Sequence, residues 1–174
     1  MSRRFLMITA SEIIALFNLR PLPVEGGYFA ESYRSSGLIP KSALPSGYSG
    51  PRCFGTAIFY LLTPETFSAL HRLRGDEVFH FYLGDPVEML QLRSDGMGER
   101  IIIGSDIAAG MRVQVLVPAN VWQGSRLCDG GKFALMGTTM APGFEFADYT
   151  PGLRQSLVQS HPQFAALISL LTRE

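Results

Sequence analysis

The feature that most constrains this chain is a succession of short β-forming runs between Cys53 and Met140, each closed by a Gly, Pro or Asp turn. Thr56 to Leu62 (TAIFYLL) stops at Pro64. Phe67 to Arg72 breaks at Arg74-Gly75-Asp76, and Glu77 to Leu83 ends at Gly84-Asp85-Pro86. Val87 to Arg93, Arg100 to Ile103, Val113 to Val117, Val121 to Ser125 and Phe133 to Met140 follow. A repeat of roughly 8–12 residues per strand and turn predicts a sandwich or barrel rather than alternating βαβ units. The class is therefore all-β.

The flanks read differently. Thr9 with Glu12 three residues on is a capping box, and Ile13, Ile14, Leu16, Phe17 and Leu19 give one apolar side. This predicts a short helix near 9–19 that covers an edge or open end of the barrel. Arg3 and Arg4 ahead of apolar residues imitate a signal peptide, but Glu12 interrupts the run and no small-residue cleavage site follows. From Ser160 onward, Phe164, Leu167, Ile168, Leu170 and Leu171 have helical spacing behind Pro162, predicting a helix near 161–172. The barrel itself is expected over about 24–148, within one domain of 174 residues. Residues 35–51, rich in Ser, Gly and Pro, form a long loop of the kind that is a lid or is disordered.

Composition excludes several classes. Fifteen basic and fifteen acidic residues cancel, so no net field recruits nucleic acid or an anionic membrane. No segment reaches the ~18 apolar residues of a membrane span. Cys53 and Cys128 make no disulfide framework and read as reduced thiols of a cytoplasmic protein.

The chemistry-bearing residues cluster around the Phe67–Leu83 region. His71 precedes Glu77, and strand parity puts Phe79 and Phe81 on the face of Glu77, with His80 and Tyr82 on the other. His80 is then a surface or interface residue, and His161, beside a helix start, a surface one. Arg72 and Arg74 lie opposite His71. Parity likewise groups Phe29 and Glu31 with Tyr33, and Tyr28 with Ala30. A histidine titrates near neutral pH, and an adjacent carboxylate can fix its tautomer and raise its pKa. His71 would move a proton with Glu77 orienting it; the alternative is a self-satisfied structural pair.

The run His71-Arg72-Leu73-Arg74-Gly75-Asp76-Glu77, then six residues to Gly84, resembles the first cupin motif (His-x-His, three or four residues, Glu, six residues, Gly). Pro118-Ala119-Asn120-Val121-Trp122-Gln123 loosely resembles the second, Pro-x-Gly-x-x-His. Five runs are similar to a narrower cupin family commonly described as predicted sugar epimerases. They are Pro23–Tyr28 with Glu31, Tyr33, Arg34 and Ser35; Thr56–Leu62; His71–Tyr82 with Gly84-Asp85-Pro86; Val117–Gln123; and Ala141–Asp148.

The resemblance implies a double-stranded β-helix, the cupin or jelly-roll barrel, with short N- and C-terminal helices, and a homodimer. It implies a sugar-like small-molecule ligand, a carbohydrate or nucleotide-sugar, and epimerase or isomerase chemistry, with His71 and Glu77 as the acid–base pair and Tyr33, or Tyr28, as the acid. Tyr28, Glu31, Phe79, Trp122, Gln123, Phe144 and Asp148 would contact the ligand; Phe144, Glu145 and Asp148 line the mouth or cap it. Two further readings stay open: a non-catalytic binding or sensor module, and a metal-dependent enzyme. Leu73 and Gln123 replace two of the four usual cupin metal ligands, leaving His71, Glu77 and Gln123 to hold a divalent metal weakly, so no firm cofactor is expected.

Overall fold

The computed structural model describes residues 8–173; Arg3 and Arg4, which imitate a signal peptide, lie outside them. In chain order the strands are β1 (Arg20–Pro21), β2 (Tyr28–Arg34), β3 (Leu38–Ile39), β4 (Arg52–Cys53), β5 (Thr56–Leu62), β6 (Phe67–Leu73), β7 (Glu77–Gly84), β8 (Val87–Leu92), β9 (Gly98–Ile103), β10 (Gln114–Val117), β11 (Trp122–Leu127), β12 (Ala134–Met140) and β13 (Tyr149–Pro151). Two antiparallel sheets, ordered β1-β2-β5-β12-β7-β10 and β13-β6-β11-β8-β9, face each other as a jelly roll.

Side-chain alternation divides the interior into two halves. Along β5, Leu62 and Tyr60 join a core with Val87 and Met89 of β8 and Ala134 and Met136 of β12. Farther along, Ile58, at the border of that core, and Thr56 line an open cavity that Tyr60 also reaches. One end of the barrel is thus filled by apolar packing and the other is hollow.

Helix α1 (Ala10–Leu16) carries the complete Thr9–Glu12 capping box. It does not cover an edge or open end. Ile13 packs with Leu61, Phe133 and Leu135 on the outer face of the six-stranded sheet. The C-terminal segment is α2 (Arg154–Ser160), a 3-10 turn at Pro162–Phe164, and α3 (Ala165–Leu170). Leu157, Leu167, Ile168 and Leu171 cover Leu70, Leu90 and Leu92 on the outer face of the five-stranded sheet. All of β8 is consequently buried, on both faces.

Helix α2 escaped the sequence pattern because its N-cap, Leu153, makes no side-chain cap bond and only Leu157 is fully buried. His161, expected at the surface, is buried, and its Nε2–H donates to the Arg93 carbonyl at 2.8 Å. That bond ties the tail to the end of β8. The 35–51 loop is pinned: β3 pairs with β4, and Tyr48 is buried between the guanidinium groups of Arg52 and Arg74, 5.1 and 5.9 Å from its ring. Among the described residues no helix is long and apolar enough to cross a membrane.

Candidate functional site

The hollow end holds a cavity of about 300 Å³. Thr56 and Ile58 of β5, Phe79 of β7 and Thr138 of β12 form one wall; Leu73 of β6 and Tyr149 of β13 form part of the other. Phe144 and Phe146 stand at the mouth, edge to face at 5.2 Å.

His71 is buried and is not itself part of the cavity lining; its neighbours Glu25 and Tyr149 are. Its Nδ1 lies 2.8 Å from the Ala69 carbonyl. A carbonyl only accepts, so Nδ1 carries the proton and Nε2 keeps the lone pair in the neutral ring. The ring stacks on Tyr149, centroids 4.9 Å apart and planes 18° apart. Nε2 points toward Glu25, whose Oε2 is 3.9 Å away.

Glu25 is placed by a demanding turn. Its carbonyl accepts from Ala69 N–H at 2.8 Å, and its Oε1 accepts from the Ser68 hydroxyl at 2.9 Å. Gly26 has φ +103°, and a Cβ there would collide with the Phe67 carbonyl; one on Gly27 would lie 2.8 Å from the Tyr60 ring. Glycine is required at both positions. Val24 has φ +68°, a strained value for a β-branched residue.

Glu77 does not serve His71 as its orienting carboxylate, correcting the pairing drawn from the motif. Among the described residues no hydrogen bond joins them; Gln123 Nε2–H donates to Glu77 Oε2 at 2.6 Å instead. Burial raises the Glu77 pKa first, and the Glu25 carboxylate adds to the rise. His71, Thr138 and Gln123 pull the other way without cancelling it. Three buried side-chain atoms lack a protein partner among the described residues: Gln123 Oε1, Ser125 Oγ and Tyr149 OH. Burial, then Glu25, pushes the Tyr149 hydroxyl pKa up, so it keeps its proton.

An ion network closes the mouth. Arg34 donates from Nε and Nη2 to Glu31 and from Nη1 to Glu145 at 2.9 Å. Arg34 shares the face of Glu31 because the β2–β5 register shifts between Glu31 and Tyr33. The extra residue, Ser32, resets the alternation.

That bulge moves Tyr33 away from Glu31. Tyr33 pairs with Ala57 and is 57% exposed, outside the cavity lining. Tyr28 packs with Leu61 and Ile13 behind the sheet. Neither tyrosine expected as the acid reaches the pocket. Trp122 faces away as well, in the cluster under α2 and α3, with Arg72 4.7 Å above its ring. Asp148 is a seal rather than a contact: Arg52 grips it with two hydrogen bonds of 2.7 Å. Phe79, Phe144 and Glu31 line the cavity, and Glu77 forms part of its wall. Gln123 is buried against Glu77. His80 lies outside, bonded to Thr139 and Gln114.

Glu25 and Tyr149 are the two groups that sequence reasoning passed over. The Glu25-Gly26-Gly27 turn was the available signal for the first. Tyr149 had none, since it follows the last motif.

The donor set does not suit a tightly held metal. Among the described residues no three His, Cys, Asp or Glu side chains converge. Leu73 presents hydrocarbon to the cavity, and Gln123 turns its N–H, not its oxygen, to Glu77.

Residues 11–151 match the family described as Cupin superfamily (DUF985). A hypothetical protein from Leishmania major superposes with a TM-score of 0.85 at 28% identity, over 96% of this chain and all (100%) of that one. Protein SO0799 from Shewanella oneidensis superposes at 0.82 and 31% identity, over 96% and 99% of the two chains. The uncharacterized protein YML079W of Saccharomyces cerevisiae is 29% identical over 134 residues, 72% of this chain and 67% of its own length. Oxalate decarboxylase from Bacillus subtilis, at 11% identity and a TM-score of 0.51 over 90% of this chain and 39% of that one, shares the fold alone. With the family matched from α1 to the end of β13, the chain belongs to the DUF985 family of the cupin superfamily.

Proposed function

We propose that the hollow end of the barrel is the active site of a small-molecule isomerase or epimerase, of the sugar-epimerase type, working by proton transfer. The observation that carries this reading is the hydrogen bond of His71 Nδ1 to the Ala69 carbonyl, which in the neutral ring leaves Nε2 without a proton and turned toward Glu25. Nε2 would take a proton from carbon next to a carbonyl, and Glu25 would balance the charge the ring gains. Tyr149, half-buried, with a protonated hydroxyl that has no protein partner among the described residues, stands beside the ring to return a proton. Glu77, held from behind by Gln123, is part of the wall that positions the ligand.

The test is isotope exchange. Keto-sugars and related carbonyl compounds incubated in deuterated water should take up deuterium at the acidic carbon. His71→Gln should slow uptake ~100-fold or more, and Tyr33→Phe should leave it unchanged. A panel with saturable binding but no exchange would assign the pocket to a binding module instead.

We further infer that the chain works as a homodimer. Phe17, Tyr33 and Tyr82 are 37%, 57% and 50% exposed, and Phe59 touches both Phe17 and Tyr82. This aromatic outer face of the six-stranded sheet suits a second copy of the chain. Sedimentation velocity should give the dimer mass, and Tyr33→Glu with Tyr82→Lys the monomer mass; a monomeric native chain contradicts it.

A further inference from the structure

The charges and free hydrogen-bonding groups of the cavity select a class of ligand, an inference that rests on this cavity being the working site. Its lining holds two cations, Arg20 and Arg34, against four carboxylates, Glu25, Glu31, Glu77 and Glu145. Arg34 is spent on Glu31 and Glu145. Arg20 lies over the Phe29 ring at 5.2 Å. Even with Glu77 set aside, the carboxylates Glu25, Glu31 and Glu145 outnumber the cations. A phosphate or diphosphate entering this mouth would meet an excess of negative charge.

Within the lining, Glu25 is the carboxylate that stands next to the buried His71. Nε2 of His71 and Oε2 of Glu25 both accept, and they face one another across 3.9 Å. Gln123 pairs in register with His71, and both buried side chains stand behind the residues that line the cavity. The Glu25 carboxylate, which the cavity lining presents beside this buried pair, only accepts when ionised and is complementary to N–H groups. Apolar and aromatic residues also line the cavity: Phe29, Ile58, Leu73, Phe79 and Phe144. A volume of about 300 Å³ is at the small end for ligand pockets and takes one ring with short substituents.

We propose that the site takes a small ring-bearing amine, neutral or singly cationic and without phosphate, its N–H groups seated against the Glu25 carboxylate of the cavity lining, with His71 Nε2 left for the carbon it deprotonates. An amino-substituted sugar ring satisfies this description; a nucleotide-sugar does not.

The test is calorimetric titration with two matched series: benzylamine, benzyl alcohol and benzyl phosphate, then glucosamine, glucose and glucose 1-phosphate. Each amine should bind at least tenfold more tightly than its alcohol, and the phosphates should show no binding. Glu25→Gln should shrink the amine preference to within twofold. Glu145→Gln, at an exposed position that leaves the fold intact, frees part of Arg34 and should bring benzyl phosphate into the measurable range. Phosphates binding as tightly as amines, or no amine preference in either series, overturns the proposal. Deuterium exchange separates the two readings. Amine preference without exchange leaves the ligand class standing and removes the proton-transfer function. Exchange confined to phosphate-bearing substrates does the reverse.

Discussion

His71 and Glu25 meet across the barrel interior, Nε2 to Oε2 at 3.9 Å, although 46 positions separate them in the chain. The contact joins the turn ahead of β2 to β6, and β2 and β6 belong to different sheets. It makes Glu25, rather than Glu77, the carboxylate partner of the site's histidine.

Tyr149 and Tyr60 offer a matched pair of hydroxyl deletions. Tyr60 OH donates to the Gly26 carbonyl at 3.0 Å in a buried setting. Tyr60→Phe should cost about 1–2 kcal/mol, leaving that carbonyl short of a donor. Tyr149 OH has no protein partner among the described residues, so Tyr149→Phe should be neutral or stabilise by up to about 1 kcal/mol. The same change should abolish most deuterium uptake. Urea unfolding beside the exchange assay checks both; a large stability loss in Tyr149→Phe contradicts the assignment.

Glu77 gives stability a pH dependence with a defined sign. Its folded pKa is raised above the ordinary 4.5, by burial and then by Glu25. The native state therefore holds this proton more firmly than the unfolded chain does. The contribution is fully present below about pH 4.5 and is lost as pH rises through the raised value. Glu77→Gln mimics the protonated form and keeps an acceptor for Gln123. Its stability relative to the native chain should climb steadily from pH 4.5 upward, followed by urea midpoints across pH 4 to 8. A relative stability that falls over this range contradicts the raised pKa.

Asp148 should prove structural. Arg52 and Asp148 are each 3% exposed in their side chains and joined by two short hydrogen bonds. Removing one partner leaves a buried uncompensated charge, so Asp148→Ala should cost about 3–5 kcal/mol. Asp148→Leu with Arg52→Met should recover much of the loss. The pair anchors the segment carrying Phe144 and Phe146 beside the 35–51 loop, so the single variant should also weaken ligand binding. A loss below about 1 kcal/mol in Asp148→Ala contradicts this role.

The turn that aims Glu25 combines a required glycine with a strained valine. Gly26→Ala drives a methyl into the Phe67 carbonyl at a positive φ and should destabilise by about 2 kcal/mol or more. Val24→Gly relieves a left-handed conformation at φ +68° and should stabilise by about 1 kcal/mol. Thermal melts of both variants check the opposed signs. Equal destabilisation of the two would contradict the strain at Val24.

The barrel was legible because strand length, turn chemistry and two-residue alternation are local signals. β5 falls on its sequence bounds, Thr56–Leu62, and β7 begins at Glu77 as read. Parity placed Phe79 inward and His80 outward because β7 runs without interruption at those positions. It failed at Tyr33, where a bulge at Ser32 reversed the alternation with no glycine to announce it. It could not find Glu25 beside His71 or Tyr149 against its ring, since sheet closure alone brings three distant segments together. Helix α2 was hidden for another reason: it has neither a capping side chain nor a long apolar stripe.

The central claim is that the neutral His71 ring turns an unprotonated Nε2 toward Glu25, a residue of the cavity lining. Nitrogen-15 NMR of the histidine side chains, assigned with His80→Gln and His161→Gln variants, reads this without any ligand. The account predicts that the neutral His71 ring carries its proton on Nδ1, bonded to the Ala69 carbonyl, with Nε2 resonating as a bare imine-type nitrogen. A neutral ring protonated at Nε2 would make His71 a donor to Glu25, a closed structural pair, and would contradict the account.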